Sequence, residues 1–308
     1  MIDKCSIHLD KKEFLPGEQL TGTVDLQFKT GKRVKAITVI LHGEGVLKLE
    51  DDHRVEPIVE EYVHDEIEIL RSKKYNEAER EIVLVTSGAH KYEFAFDLPN
   101  NLPSTFSLKK ANIHYRLTVE VEIQGYLDPL YDSKIVHIGS YVDLNHLVPV
   151  ALRGPHRQIA VNDIFCLCFQ MEPLSLKVEL PYGGYTPLQT IDINCFVRNK
   201  SFLNVSKLRL KIVQVFEYVR REKSYRKERT LQKVTVVNSS VRKGTQKVFK
   251  VQMLIPEGTM VPSLANCRIV KTYCEMIVKA VLPYPHFDLI VCIPFHLGTV
   301  PLVNTPLP

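Results

Sequence analysis

A chain of 308 residues with 45% hydrophobic and 24% charged side chains has the apolar material for two cores of ordinary domain size, which excludes the disordered class. No run of about 18 apolar residues occurs, and the opening MIDKCSIHLDKKEF lacks the apolar centre of a secretion signal, so the expectation is a cytosolic protein. Charge is unevenly divided: residues 1–150 hold 18 Lys+Arg against 25 Asp+Glu (−7), and residues 151–308 hold 22 against 10 (+12), together the net +5.

In chain order, the first clear signal is FLPGEQLTGTVDLQF (14–28). Pro16 fixes φ and Gly17 tolerates a positive one, so Pro16-Gly17 predicts the centre of a tight turn feeding a strand, with Glu18 following. Strand-like runs come next at KAITVILHG (35–43), EIVLV (81–85), YEFAFDLP (92–99), YRLTVEVEI (115–123) and KIVHI (134–138). An acidic stretch, LEDDHRVEPIVEEYVHDEIEIL (49–70), lies between the first two of these. VPVALRGPHRQIAVND (148–163) carries Pro149, Gly154 and Pro155 and reads as a linker. Beyond it NDIFCLCFQ (162–170) is too short to assign, and strands resume at LSLKVEL (174–180), IDINCFVRN (191–199), LRLKIVQVF (208–216), KVTVVN (233–238) and VFKVQMLI (248–255). Many short alternating strands with Gly and Pro turns predict an all-β chain of antiparallel, immunoglobulin-like sandwiches.

The second series repeats the first. Phe14, Pro16 and Leu20 recur as Tyr185, Pro187 and Ile191, and Val34, Ile37, Val39 and Leu41 recur as Val205, Leu208, Leu210 and Ile212, all at an offset of 171. Tyr92, Phe94, Phe96 and Leu98 recur as Phe249, Val251, Met253 and Ile255 at 157. Ordered matches mean a duplicated unit. Leu41 to Tyr92 spans 51 residues and Ile212 to Phe249 spans 37, so the first copy holds 51 − 37 = 14 extra residues, placed in or beside the acidic stretch. The predicted division is 1–147, a linker at 148–163, 164–303 and a tail remnant at 304–308.

Motifs of catalysis are missing from the sequence: there is no H-E-x-x-H, G-x-S-x-G, Walker loop or dinucleotide fingerprint, so neither an enzyme nor a cofactor is expected. His53 and His64 beside Asp51 and Asp52 suggest a metal cluster only weakly, and a solvated acidic loop accounts for them. The seven cysteines form an odd set without a C-x-x-C pair and read as reduced core thiols.

The excess positive charge is concentrated. Arg198 to Lys250 holds 16 basic and 3 acidic residues, densest at EYVRREKSYRKERTLQKV (217–234). A hairpin there would carry Arg220, Arg221, Lys223, Arg226, Lys227 and Arg229 on its tip. Such a tip is either simply solvated, or it attracts anionic headgroups or acidic and phosphorylated tails. Nucleic acid is disfavoured, since only Tyr218 and Tyr225 interleave as stacking platforms.

FLPGEQLTGTV, SGAHKYEFAFDLPNNLPSTF, MLIPEGTMVPS, CRIVKTYCEMIVKA and IVCIPFHLGT together resemble the α-arrestins, the arrestin domain-containing proteins, over about residues 5 to 300. The resemblance implies two tandem arrestin sandwiches and a cytoplasmic trafficking adaptor. Such an adaptor associates peripherally with plasma membrane or endosomes, binds receptor or transporter tails and recruits a HECT-type ubiquitin ligase. It also assigns Pro16, Gly17 and Glu18 to the family's turn motif. Two departures accompany it. The second copy reads Thr186-Pro187-Leu188-Gln189 at the equivalent turn, where a positive φ at Leu188 is not expected. No P-P-x-Y occurs, so any ligase contact is expected to be indirect. A retromer-type coat subunit, and from another class a β-sandwich enzyme or sugar-binding protein, are the alternatives.

Overall fold

The computed structural model describes residues 3–49, 56–71, 74–76, 79–80, 82–147, 153–162, 173–220, 223–264 and 266–303. Strands of the first copy are β1 (Lys4–Leu9), β2 (Gln19–Phe28), β3 (Lys32–Leu47), β4 (Ile58–Arg71), β5 (Lys74–Asn76), β6 (Glu79–Arg80), β7 (Val83–Val85), β8 (Gly88–Asp97), β9 (Phe106–Ser107), β10 (Ala111–Ile123) and β11 (Leu130–Val136). One helical turn, α1 (Leu144–Leu147), precedes β12 (His156–Asn162), β13 (Leu174–Leu180), β14 (Gly184–Tyr185), β15 (Thr190–Asn199), β16 (Lys207–Arg220), β17 (Lys223–Thr235), β18 (Thr245–Leu254), β19 (Val270–Val281) and β20 (Leu289–Leu297).

Period-two alternation builds both sandwiches. β10 buries every other side chain, among them Leu117, Val119 and Val121, while Leu20 and Val24 on β2 and Phe94 and Phe96 on β8 supply the opposing layer. The sheets run β1-β2-β8 and β11-β10-β3-β4 in the first copy, and β12-β13-β15-β18 and β14-β20-β19-β16-β17 in the second. Matching them puts β13, β15 and β18 at the places of β1, β2 and β8, and β20, β19, β16 and β17 at those of β11, β10, β3 and β4. The duplication seen in sequence is therefore a duplication of topology.

Two compact units result. One holds residues 1–140 with 218–223 and 262–270, and the other holds 141–217, 224–261 and 271–308. Segments 218–223 and 262–270 belong by sequence to the second copy but are part of the first unit. No helix of the described residues is long and apolar enough to cross a membrane.

The 14 extra residues are divided, because β3 to β4 is connected by 48–57 where β16 to β17 needs only 221–222, and β4 to β8 by 72–87 where β17 to β18 needs only 236–244. The stretch read as a linker contains β12, which pairs antiparallel with β13 from His156↔Leu180 to Asn162↔Leu174. Its Ile159 and Val161 are exposed while Ala160 packs against the core, so the open backbone edge of β13, more than burial of a hydrophobic face, makes it a strand. Residues 148–152 and 163, the tail remnant 304–308, the segment 164–170, Cys166 and Cys168 lie outside the described residues. Of the remaining cysteines, Cys195, Cys267 and Cys274 are buried and Cys5 is half-buried, but Cys292 is exposed, contrary to a core reading.

The second-copy turn also differs from expectation. Gly17 has φ 81° and Leu188 has φ 67°, so both copies use the same left-handed position. Glu18 N–H donates to Leu15 O at 3.1 Å, and Gln189 N–H donates to Thr186 O at 3.2 Å. In each turn a side-chain oxygen closes the loop: Glu18 Oε2 accepts Leu15 N–H at 3.0 Å, and Gln189 Oε1 accepts Thr186 N–H at 2.8 Å. Neighbouring strands clamp both, through Leu98 N–H to Glu18 O and Ile255 N–H to Gln189 O, each 3.0 Å. These bonds hold Leu188 where its own preference would not.

Candidate functional site at a basic edge strand

β17 is the outer strand of its sheet, so one side of its backbone offers unpaired N–H and C=O groups. Lys223 to Thr230 are all exposed along it, and Leu231 packs against the core of the second sandwich. Strand alternation divides the cations between two faces. Arg226 and Glu228 share one, and Lys223, Tyr225, Lys227 and Arg229 share the other.

The first face is a closed charge network. Arg226 donates through Nη1 to Glu275 Oε1 at 3.0 Å and through Nη2 to Glu275 Oε2 at 2.6 Å. The same guanidinium reaches Glu228 Oε1 at 3.1 Å and Tyr273 Oη at 3.2 Å. Lys211 donates to Glu228 Oε2 at 3.4 Å, and the Tyr273 hydroxyl donates to Glu217 Oε1 at 2.8 Å. Beneath lie Val213, Val215 and Ile277, an apolar patch on which Tyr273 packs. The Arg226 hydrogen bond, then Lys211, holds the Glu228 carboxyl below the usual carboxylate range. Burial first, then the Glu217 hydrogen bond, pushes the Tyr273 hydroxyl up to about 12.

Arg226 is thus a structural cation, and the sequence reading that placed it among the tip residues missed Glu275 and Tyr273, which lie 49 and 47 residues further on. Among the described residues no carboxylate lies within ion-pair reach of Lys223, Lys227 or Arg229. Arg220, half-buried at the end of β16, lines a cleft of about 540 Å³ within the first unit, with Glu56, Ile58, Val59 and Arg268. Arg221 lies outside the described residues. Tyr218 is buried, so it cannot stack on a base, and only Tyr225 of the two tyrosines is open to solvent.

A second polar cluster, within the first unit, escaped the sequence altogether. Glu60, 8% exposed, accepts the Arg268 backbone N–H at 2.9 Å and its Nε at 2.6 Å. The Tyr62 hydroxyl donates to Glu60 Oε2 at 3.1 Å and lies 3.2 Å from Cys267 Sγ. Burial raises the Cys267 thiol above its usual range. Asp51, Asp52 and His53, read beside His64 as a weak metal cluster, lie outside the described residues; β3 and β4 instead bring His64 to His42 and Glu61.

Comparison with known proteins agrees with this architecture. Residues 5–145 match the model of the arrestin (or S-antigen) N-terminal domain, and residues 170–302 match that of its C-terminal domain. The chain is 24% identical to arrestin domain-containing protein 17 of Caenorhabditis elegans, over 98% of this chain and 72% of that protein. Two duplicated sandwiches with matching strand orders, covered in sequence by both domain models, make this chain a member of the arrestin domain-containing family.

Proposed function

We propose that the chain is a non-enzymatic adaptor in membrane-protein trafficking and endocytosis, working in the cytoplasm and at the surface of plasma membrane or endosomes. β17 takes up an extended acidic or phosphorylated tail of a receptor or transporter. The observation that carries this reading is an open edge strand whose exposed Lys223, Lys227 and Arg229 have no acidic partner among the described residues. An added strand satisfies the free backbone groups, while the cations, with Arg220 near the hairpin end, draw acidic or phosphoryl groups into charge-assisted hydrogen bonds. These 308 residues hold no P-P-x-Y, so a HECT-type ligase reaches the cargo through a partner protein or through a longer form of the chain that carries the motif.

The test reverses Lys223, Lys227 and Arg229 together to Glu and leaves Arg226 intact. Fluorescence anisotropy with a phosphorylated acidic peptide is expected to show binding weakened at least about tenfold and steeply salt-dependent, with the melting temperature nearly unchanged. If the peptide does not bind the wild type, or binds the variant as well, the tail reading fails. Loss confined to phosphoinositide vesicles would instead make the strand a lipid contact, worth about 1 kcal/mol per cation near the surface.

A further inference from the structure

The outward face of β3 and β4 carries a cluster that the adaptor reading does not use. His42 and His64 are cross-strand partners with ring centroids 5.7 Å apart and planes at 75°. Glu61 Oε2 lies 3.4 Å from His42 Nε2. One ligand atom from each of His42, Glu61 and His64 falls within 4.8 Å of the others.

Residues three apart on a regular strand point to opposite faces, so Glu61 and His64 meet only because β4 is irregular. The register steps from Gly43↔Val63 to Glu44↔Glu61, leaving Tyr62 as the extra residue of a bulge. Tyr62 and Val63 both turn inward. A Cβ on Gly45 would stand 2.6 Å from the Tyr62 hydroxyl, and one on Gly43 would stand 2.9 Å from Val63 Cγ1. Glycine at 43 and 45 is what lets two consecutive large side chains enter, and the bulge in turn rotates Glu61 outward beside His64. The next row across the sheet is His114 and Glu44, 3.4 Å apart, and Arg116 on β10 stands opposite His42.

We infer that His42, Glu61 and His64 form a binding site for a divalent transition metal, zinc in the first place, that ties edge strand β4 to β3 across the bulge. Two imidazole nitrogens and one carboxylate oxygen are a borderline donor set that suits zinc and disfavours calcium and magnesium, which require oxygen shells. Three protein ligands, His42 half-buried and Glu61 and His64 exposed, leave the fourth tetrahedral position to water. Closing donor atoms from 4.8 Å to the spacing around a zinc ion, with bonds of about 2.0–2.2 Å, asks only for side-chain rotation, because the backbones are already paired.

The experiment is calorimetric titration of the metal-stripped full chain with Zn²⁺, accompanied by thermal melts. One-to-one binding is expected, with a rise in melting temperature. His64→Ala and Glu61→Gln are each expected to weaken binding at least about tenfold. His114→Ala and Cys292→Ser are expected to leave it unchanged, which separates this site from the next row and from the exposed thiol. Co²⁺ substitution is expected to give weak visible bands without a thiolate charge-transfer band. Absence of Zn²⁺ binding by the wild type, equal binding by His64→Ala and wild type, or loss of binding in Cys292→Ser would each overturn the proposal. His64→Gln, which keeps a side chain of similar reach, replaces His64→Ala if the latter does not fold and is expected to weaken binding equally.

Discussion

The guanidinium of Arg226 lies against the carboxylate of Glu275 with two parallel hydrogen bonds, 3.0 and 2.6 Å, joining edge strand β17 to β19 across β16. Glu275 is 12% exposed at its side chain and Arg226 is 41% exposed, so the cost of separating them falls mainly on the carboxylate left behind. Arg226→Ala is expected to destabilise by about 2 kcal/mol, whereas Lys227→Ala and Arg229→Ala on the opposite face are expected to change stability by less than about 0.5 kcal/mol. Urea denaturation of the three variants decides between a structural and a solvated role. Equal effects would mean that strand alternation does not divide the cations as described.

Glu60 and Arg268 are paired more unequally, with side chains 7% and 88% exposed. Glu60→Ala removes the acceptor of two Arg268 donors and of the Tyr62 hydroxyl, and a loss of about 2–3 kcal/mol is expected. Arg268→Ala leaves Glu60 its backbone donor and Tyr62, so less than about 1 kcal/mol is expected. A fragment of residues 1–147 lacks 218–223 and 262–270, which belong to the same compact unit. Its melting temperature is expected to fall below that of the full chain, and a scan of both proteins checks this.

The paired turns separate backbone strain from sequence identity. A Cβ at Gly17 would both require φ 81° of an L-residue and strike the Asn100 side chain, so Gly17→Ala is expected to cost about 2 kcal/mol or more. Leu188 already occupies φ 67° and is exposed. Leu188→Gly removes strain of about 1–2 kcal/mol against an unfolded-state penalty of about 0.5–1 kcal/mol, so stability is expected to hold or rise. Gln189→Ala is expected to reverse that tolerance by opening the loop. Thermal melts of the three variants report the order.

Burial lowers the His296 imidazole below its ordinary 6.5. Above 6.5 the ring is neutral in both folded and unfolded chains, so it contributes no pH dependence there. As pH falls through 6.5 the unfolded chain takes up the proton first, and stability declines until the folded value is passed. His296→Gln is expected to flatten the fall in melting temperature as pH drops below 6.5. An unchanged slope would assign the effect to other groups.

The local pattern of the chain was enough to establish that it is all-β, that it is duplicated and that Pro16-Gly17 makes a turn. Each rests on interactions along the sequence: side-chain alternation fixes which face is buried, and proline and glycine restrict their own φ. Arrestin membership was legible as well, because several spaced segments recur together in order. Local pattern was insufficient where a neighbouring strand imposes the outcome. β12 forms on the open edge of β13, Leu188 is held left-handed by bonds from Gln189 and β18, and Arg226 is taken out of the basic tip by Glu275, 49 residues away. The His42, Glu61 and His64 cluster depends on a one-residue bulge that only pairing with β3 creates. Hydrogen bonds and charge pairs across strands are set by register, and register is decided when the sheet assembles, not by the residues of one strand.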